Sequence, residues 1–283
     1  MFVAKTIEDV RAHRWADPGL TWGLVPTMGA LHEGHLSLVR RARAENDRVG
    51  VSIFVNPIQF DRRDDLDAYP RQLERDCALL EAEGVDLVWA PDEATVYPPG
   101  FQTYVSVEEL TTVLEGAARP GHFRGVTTVV AKLFNVFQPT RAYFGQKDAQ
   151  QAAVIRQMAR DLAFNLDVVV CPIVREPDGL AMSSRNQLLK PGERPAALVL
   201  KRALDAAREA WAAGERRGER LRAIMRDVIA AEPLARLDYV SAADPVTLIE
   251  IDGEASAALL SMAVFVGQVR LIDNTLLGAA QPE

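Results

Sequence analysis

Trp22-Gly23-Leu24-Val25-Pro26-Thr27-Met28-Gly29-Ala30-Leu31-His32-Glu33-Gly34-His35 is the stretch that decides the fold. Trp22 to Pro26 reads as a strand, and a glycine-bearing loop follows. From His35 to Asn46 the chain sets Leu36, Leu38, Val39 and Ala42 on one face and Arg40, Arg41, Arg43 and Glu45 on the other, the period of an amphipathic helix. A strand that passes through such a loop into a helix opens a parallel sheet covered by helices.

Working outward, Val49 to Val55 is β-branched and uncharged, a strand buried on both faces, and Asn56-Pro57 stops it. Tyr69 to Glu83 predicts a helix, with Pro70 near its start and Gly84 just past its end, leading to a strand at Val85 to Trp89. Pro91, Pro98, Pro99 and Gly100 make the next stretch irregular. Strands at Thr103 to Val107, Ala142 to Phe144 and Leu166 to Val170 and helices at Gly125 to Phe137 and Asp148 to Ala163 complete the alternation.

After Pro172 the texture changes to a loop rich in Gly, Ser and Asn. Helical patterns follow at Ala196 to Ala213 and Glu219 to Ala231, then strands at Asp238 to Val240, Leu259 to Phe265 and Gln268 to Asp273. We expect an α/β protein: a Rossmann-like doubly wound parallel sheet over residues 1–173 and a smaller α+β domain over residues 174–283. The length of 283 residues suits this, at about 150 residues per domain.

With 32 Lys plus Arg against 39 Asp plus Glu, the formal charge of −7 argues against nucleic acid as a partner. The Arg-rich stretch from Arg216 to Arg226 is interleaved with Glu215 and Glu219 and reads as a solvated helix face. Cys77 and Cys171 are too few for a disulfide framework, and both lie in apolar-flanked segments that read as buried, which fits a reducing cytoplasm. Met1 to Lys5 shows no basic region followed by a long apolar run, and Ala255 to Val266 is too short to span a bilayer, so we expect no membrane partner.

Ligands of an open parallel sheet bind outside the carboxyl ends of its strands, so the loops there hold the candidate chemistry. In Pro26 to His35, two glycines let the backbone come close to a ligand and a helix amino terminus faces it, a setting suited to phosphate. His32 and His35, three apart, can reach the same phosphate. Gly29 and Gly34 have P-loop separation, but His35 stands where the Lys should be, and Leu36 stands where a zincin needs His. A capping or core role and a zinc site are the competing readings, the latter lacking a local third ligand.

The second loop, Gly145-Gln146-Lys147-Asp148-Ala149-Gln150-Gln151, offers a point charge for a polyphosphate and a carboxylate for a cap, a hydrated Mg2+ or a ribose hydroxyl. The third, Ala181-Met182-Ser183-Ser184-Arg185-Asn186, puts two hydroxyls and a guanidinium where they can wrap a pyrophosphate, or simply cap a turn. In the fourth, Phe54 to Phe60, Gln59 suits a small polar acid unless the segment is an ordinary turn. His122, in Arg119 to Gly125, reads as structural or substrate-adjacent rather than metal-binding.

Pro26 to His35 resembles the His-x-Gly-His motif of the adenylyl-transferring superfamily that includes class I aminoacyl-tRNA synthetases. Met182-Ser183-Ser184-Arg185 resembles a modified form of that superfamily's second phosphate-binding signature. More specifically, Phe54 to Phe60, Arg119 to Gly125, Phe144 to Gln151 and Gly179 to Asn186 resemble, in order and spacing, the signatures of the pantothenate synthetase family. The similarity runs over nearly the whole chain.

The resemblance implies ATP-dependent condensation of (R)-pantoate with β-alanine to pantothenate through a pantoyl-adenylate, with release of pyrophosphate and AMP. It implies ATP as co-substrate, Mg2+, and a homodimer. His35, His32, Lys147 and Arg185 would be catalytic, with His35 as proton donor. Met28, Gly29, Ala30, Leu31, His32, Glu33, Gly34 and His35 would line the ATP site, joined by Gly145, Gln146, Lys147, Asp148, Met182, Ser183, Ser184 and Arg185. Val174 would offer its backbone to adenine. Gln59 would touch pantoate and β-alanine, and Gln151 would hold pantoate. Gln146 stands where the family usually has Glu, and the sequence assigns no metal ligands.

Two other functions stay open: another nucleotidyltransferase of the same superfamily, and a catalytically silent nucleotide-sensing or RNA-binding module. Intact His32, His35, Lys147 and Arg185 count against decay, and the acidic balance counts against RNA.

Overall fold

The computed structural model describes residues 1–61 and 63–278. Its strands are β1 (Phe2–Ala4), β2 (Trp22–Thr27), β3 (Arg48–Ile53), β4 (Leu87–Trp89), β5 (Arg141–Gly145), β6 (Asp167–Cys171), β7 (Ala235–Ala243), β8 (Ala258–Val266) and β9 (Val269–Leu277). The chain forms two compact units. One is Met1–Gly145 with Gln151–Cys171, and the other is Gln146–Gln150 with the chain from Pro172 onward.

In the first unit all six strands are parallel, in the order β1-β4-β3-β2-β5-β6. Alternate residues go to opposite faces, as a strand's period of two requires. Trp22, Leu24, Leu87, Trp89, Ala142 and Phe144 join one core, with the helices Ile7–Trp15, His122–Phe137 and Ala149–Asp161. Val25, Val49, Val51, Val88 and Tyr143 join the other, against the helices Glu33–Glu45 and Leu73–Ala82. Both faces are covered, so the expected doubly wound sheet is present.

In the second unit β7, β8 and β9 form an antiparallel sheet whose apolar face meets the helices Val199–Ala212 and Gly218–Ala230, the expected α+β arrangement.

Several local expectations are corrected. Thr103 to Val107 is not a strand: Val105 N donates to Thr128 Oγ1 and Val105 O accepts from Thr127 Oγ1, so helix hydroxyls supply what a neighbouring strand would. The helix expected from Tyr69 starts at Leu73, because the residue before Pro70 is steered out of helical backbone. The helix expected from His35 starts at Glu33, with His32 as its cap. Cys171 is buried as expected, but Cys77 is only half-buried. β1 and the helix Ile7–Trp15 were not anticipated, although Thr6 caps that helix by accepting from Asp9 N.

Candidate active site

β2 lies between β3 and β5, where the strand order reverses, so the loop leaving its carboxyl end sits at a topological switch point. The turn there needs consecutive left-handed residues, Gly29 at φ +82° and Ala30 at φ +52°. Left-handed backbone costs an L-residue roughly 1–2 kcal/mol. Asp76, fully buried on the helix Leu73–Ala82, holds the turn by accepting from Ala30 N at 2.8 Å and Leu31 N at 2.9 Å. A Cβ on Gly29 would stand 3.0 Å from Asp76 Oδ2, so glycine keeps the carboxylate close.

His32 and His35 cap the following helix reciprocally. Gly34 N donates to His32 Nδ1 at 3.2 Å, and His32 N donates to His35 Nδ1 at 3.4 Å. Accepting through Nδ1 assigns each ring's proton to Nε2. The rings lie 4.1 Å apart, at the positive end of a helix dipole. Glu33 is tied to Arg40 by a bond of 3.0 Å on the helix surface.

After β3, the short turn Pro57–Gln59 brings Gln59 to Met28, with Nε2 3.1 Å from Sδ. Gly125, on the helix His122–Phe137, packs directly on this turn, where a Cβ would meet Ile58 O at 2.4 Å. From the same helix His122 Nδ1 lies 2.8 Å from Gln59 O, while Arg119 Nη1 lies 3.2 Å from His122 Nε2. A guanidinium only donates, so Nε2 accepts and the Nδ1–H donates to the Gln59 carbonyl. Burial first, and then the charge of Arg119, push His122 down to about 4, which keeps it neutral at neutral pH.

Met28, Gly29, Phe54, Arg71, Gln72 and Asp76 face a cavity of about 330 Å³ at this edge. A larger one of about 460 Å³ lies against Phe2, Trp22 and Arg48, at the amino ends of the strands, and carries none of the predicted site residues. Gly145 ends β5, next to β2, and Gln151 is half-buried at the start of the helix Ala149–Asp161.

In the second unit Gln146–Asp148 form a tight turn. Asn274 on β9, only 3% exposed, donates to the carbonyls of Gln146 and Lys147 at 2.9 Å each and accepts from Gln146 Nε2 at 3.1 Å. Next to it Asp273 accepts from Asn274 N at 2.8 Å and pairs with Arg175 at 2.7 Å.

Met182 N donates to Val174 O at 3.0 Å and Arg175 bridges Ala181, so the segment folds back and delivers Ser183. Ser183 Oγ accepts from Arg185 N at 3.3 Å, capping the turn Ser184–Leu188. Lys147, Ser183, Arg185, Asn186 and Arg270 line one narrow cleft, and Lys147 Nζ lies 3.7 Å from Asp148 Oδ1.

Met28 to His35, Gln59, Gly145 and Gln151 belong to the first unit, and Gln146, Lys147, Asp148, Val174 and Met182 to Arg185 to the second. Among the described residues, no group of three or more His, Cys, Asp or Glu could hold a metal ion. No helix among them is long and apolar enough to cross a membrane.

Residues 2–276 match a protein family described as pantoate-beta-alanine ligase. The chain belongs to the pantoate-beta-alanine ligase family.

A pantothenate synthetase of Roseiflexus sp. (strain RS-1) is 63% identical over 279 residues, 99% of this chain and 100% of that protein. The crystal structure of pantothenate synthetase from Thermus thermophilus superposes with TM-score 0.92 at 48% identity, covering 97% of this chain and 99% of the other. That of pantoate-beta-alanine ligase from Francisella tularensis, complexed with beta-gamma ATP and beta-alanine, gives TM-score 0.81 at 36% identity, covering 98% and 97%. The chain is therefore an enzyme of the ligase class.

The motifs of this ligase family led to the residues expected to face ligands and missed the ones behind them. Asp76 occupies a core position of its helix beside Leu80, and Asp273-Asn274 interrupts the apolar strand β9. An acid or amide at an apolar position was the available signal. Asn56 and Tyr97, which bond to each other at 2.8 Å, gave none beyond ordinary turn composition.

Proposed function

We propose that this ligase condenses (R)-pantoate with β-alanine to pantothenate, using ATP through a pantoyl-adenylate and releasing pyrophosphate and then AMP. The observation that carries the reading is the pair of imidazoles, His32 and His35, at the switch point, in a chain whose family match spans residues 2–276. The ligands named for the Francisella tularensis relative, beta-gamma ATP and beta-alanine, are carried over to this chain on that basis.

In the first step a pantoate carboxylate oxygen attacks the α-phosphorus, and the bond to the pyrophosphate oxygen breaks. Negative charge grows on the equatorial oxygens and on the leaving pyrophosphate. No covalent nucleophile is needed, only donors and cations already in place. His32 and His35 supply N–H donors, and Lys147 and Arg185 supply positive charge for the polyphosphate. Ser183 and Ser184 add hydroxyls, Val174 its backbone to adenine, and Gln59 and Gln151 hold pantoate.

In the second step the β-alanine amine attacks the acyl carbon and AMP leaves, after the ammonium has lost a proton. Asp148, about half exposed beside Lys147, would hold a hydrated Mg2+ through its carboxylate. When bound, that ion would neutralise charge on the pyrophosphate. Two free cysteines fit a reducing cytoplasm, and a homodimer is the expected assembly, which sedimentation would test.

The assay supplies ATP, Mg2+ and pantoate with and without β-alanine and follows pyrophosphate and AMP separately. Pyrophosphate should require pantoate, and AMP release should require β-alanine. A nucleotidyltransferase that stops at its nucleotide product would release no AMP in either arm. His35→Ala should cut pyrophosphate release by about 10²-fold or more, the scale of a lost transition-state donor. Near-normal release by a folded variant would refute the role given to His35.

A further inference from the structure

The carbonyl of Gly125 fixes the direction of a hydrogen-bond chain that ends at Gln59. A backbone carbonyl can only accept, so the Asn56 atom 3.1 Å from it is the amide nitrogen. That nitrogen also donates to Gln59 Oε1 at 2.9 Å. At the other end of the same amide, Asn56 Oδ1 accepts from the Tyr97 hydroxyl at 2.8 Å. Asn56 is 1% exposed, so water does not compete for these bonds.

The polarity propagates outward. With Oε1 already accepting, Gln59 must turn Nε2 away from Asn56, and it lies 3.1 Å from Met28 Sδ, a weak acceptor. Gln59 therefore offers an N–H rather than an oxygen. Tyr97 is well placed to hold this order, with its ring packed between Phe54, 6.1 Å away, and Phe101, 5.0 Å away. Burial also raises its hydroxyl above the usual phenol range, so it stays a donor.

We infer that Tyr97 is a positioning residue for substrate recognition: acting through Asn56, it locks the Gln59 amide with N–H outward, so that Gln59 reads a hydroxyl or carboxylate oxygen of the hydroxy acid and not an ammonium. This rests on the reading of Gln59 as a pantoate contact.

The test is a double-mutant cycle of Tyr97→Phe and Gln59→Ala, with KM measured separately for pantoate and ATP. Tyr97→Phe removes one oxygen and keeps the ring. It should raise the pantoate KM about five- to tenfold, the scale of one net hydrogen bond, and leave the ATP KM within about twofold. In the Gln59→Ala background it should add nothing.

Gln59→Glu keeps the acceptor for Asn56 but replaces the N–H by a second acceptor, and should raise the pantoate KM by more than about tenfold. A Tyr97→Phe variant that shifts both KM values alike, or that still shifts pantoate without Gln59, would overturn the inference. Should Gln59→Ala alone leave the pantoate KM unchanged, the reading of Gln59 as a pantoate contact fails instead, and the role of Tyr97 falls with it.

Discussion

Replacing Asp76 by Asn should loosen the turn that carries both histidines. The carboxylate is fully buried and accepts from Ala30 N and Leu31 N at 2.8 and 2.9 Å, while its ion pair with Arg75 spans 3.9 Å and is open to solvent. Asn keeps the volume and one acceptor oxygen. One N–H keeps a neutral bond in place of a charge-assisted one, and the other faces an NH2 that also donates.

Losing a bond to a charged acceptor costs about 1.5–3 kcal/mol, and weakening the second adds about 1. Relief of burying a charge offsets part of this, leaving about 2–3 kcal/mol. At about 2–4 °C per kcal/mol for a unit of this size, the melting temperature should fall by about 5–10 °C. Because the turn lies in the ATP site proposed above, the ATP KM should rise as well.

Adding Ala30→Gly should recover about 0.5–1 kcal/mol, since glycine adopts the left-handed backbone at φ +52° without strain. The assays are thermal unfolding, urea unfolding with an unchanged slope, and steady-state kinetics. A melting temperature within about 1 °C of the parent, with an unchanged ATP KM, would show that the carboxylate does not hold the turn.

Two further outcomes follow from buried groups. His122, pushed down to about 4 by burial and by Arg119, binds its proton more weakly folded than unfolded. Its contribution is therefore complete above the ordinary histidine value of about 6.5 and drains as pH falls towards 4, by about 3 kcal/mol in all. Urea titrations from pH 7 to 4 should show this slope, flattened in His122→Asn, and equal slopes in the two proteins would refute the assignment. Asn274→Ala leaves the carbonyls of Gln146 and Lys147 without the bonds they accept at 2.9 Å. At about 1 kcal/mol each, the Lys147 turn should lose order and the ATP KM should rise about tenfold, whereas an unchanged KM would separate the turn from nucleotide binding.

How much was legible in the sequence depended on distance along the chain. β2 and β3 were visible because Trp22 to Pro26 and Val49 to Val55 carry no charge, and His32 and His35 because they stand three positions apart. β1 is three residues long, too short for any period to show. The alternation at Thr103 to Val107 was real, but it recorded a segment laid against helix hydroxyls. The supporting partners lie far off: Asp76 is 46 residues from Ala30, and Asn274 is 128 from Gln146. A local pattern shows that such a residue is out of place among apolar neighbours, not which turn it holds.

These partners also bear on the proposed nucleotide site, where the turn after β2 carries imidazoles at the place of a P-loop lysine. In a P-loop the backbone N–H groups cradle phosphate. Here Ala30 N and Leu31 N are already taken by the Asp76 carboxylate, whose charge beneath the turn opposes an anion lying close against the backbone. In the function proposed above, anion recognition would pass to groups that reach beyond the turn, the imidazoles of His32 and His35, whose Nδ1 atoms are engaged in reciprocal caps. The Lys147 turn meets the same requirement in the opposite sense. Asn274 draws in the carbonyls of Gln146 and Lys147, so the oxygens that would repel a phosphate are engaged by its amide. In both turns a buried side chain settles the backbone's hydrogen bonding, so on the proposed function losing either partner should weaken ATP binding while every predicted contact residue is still present.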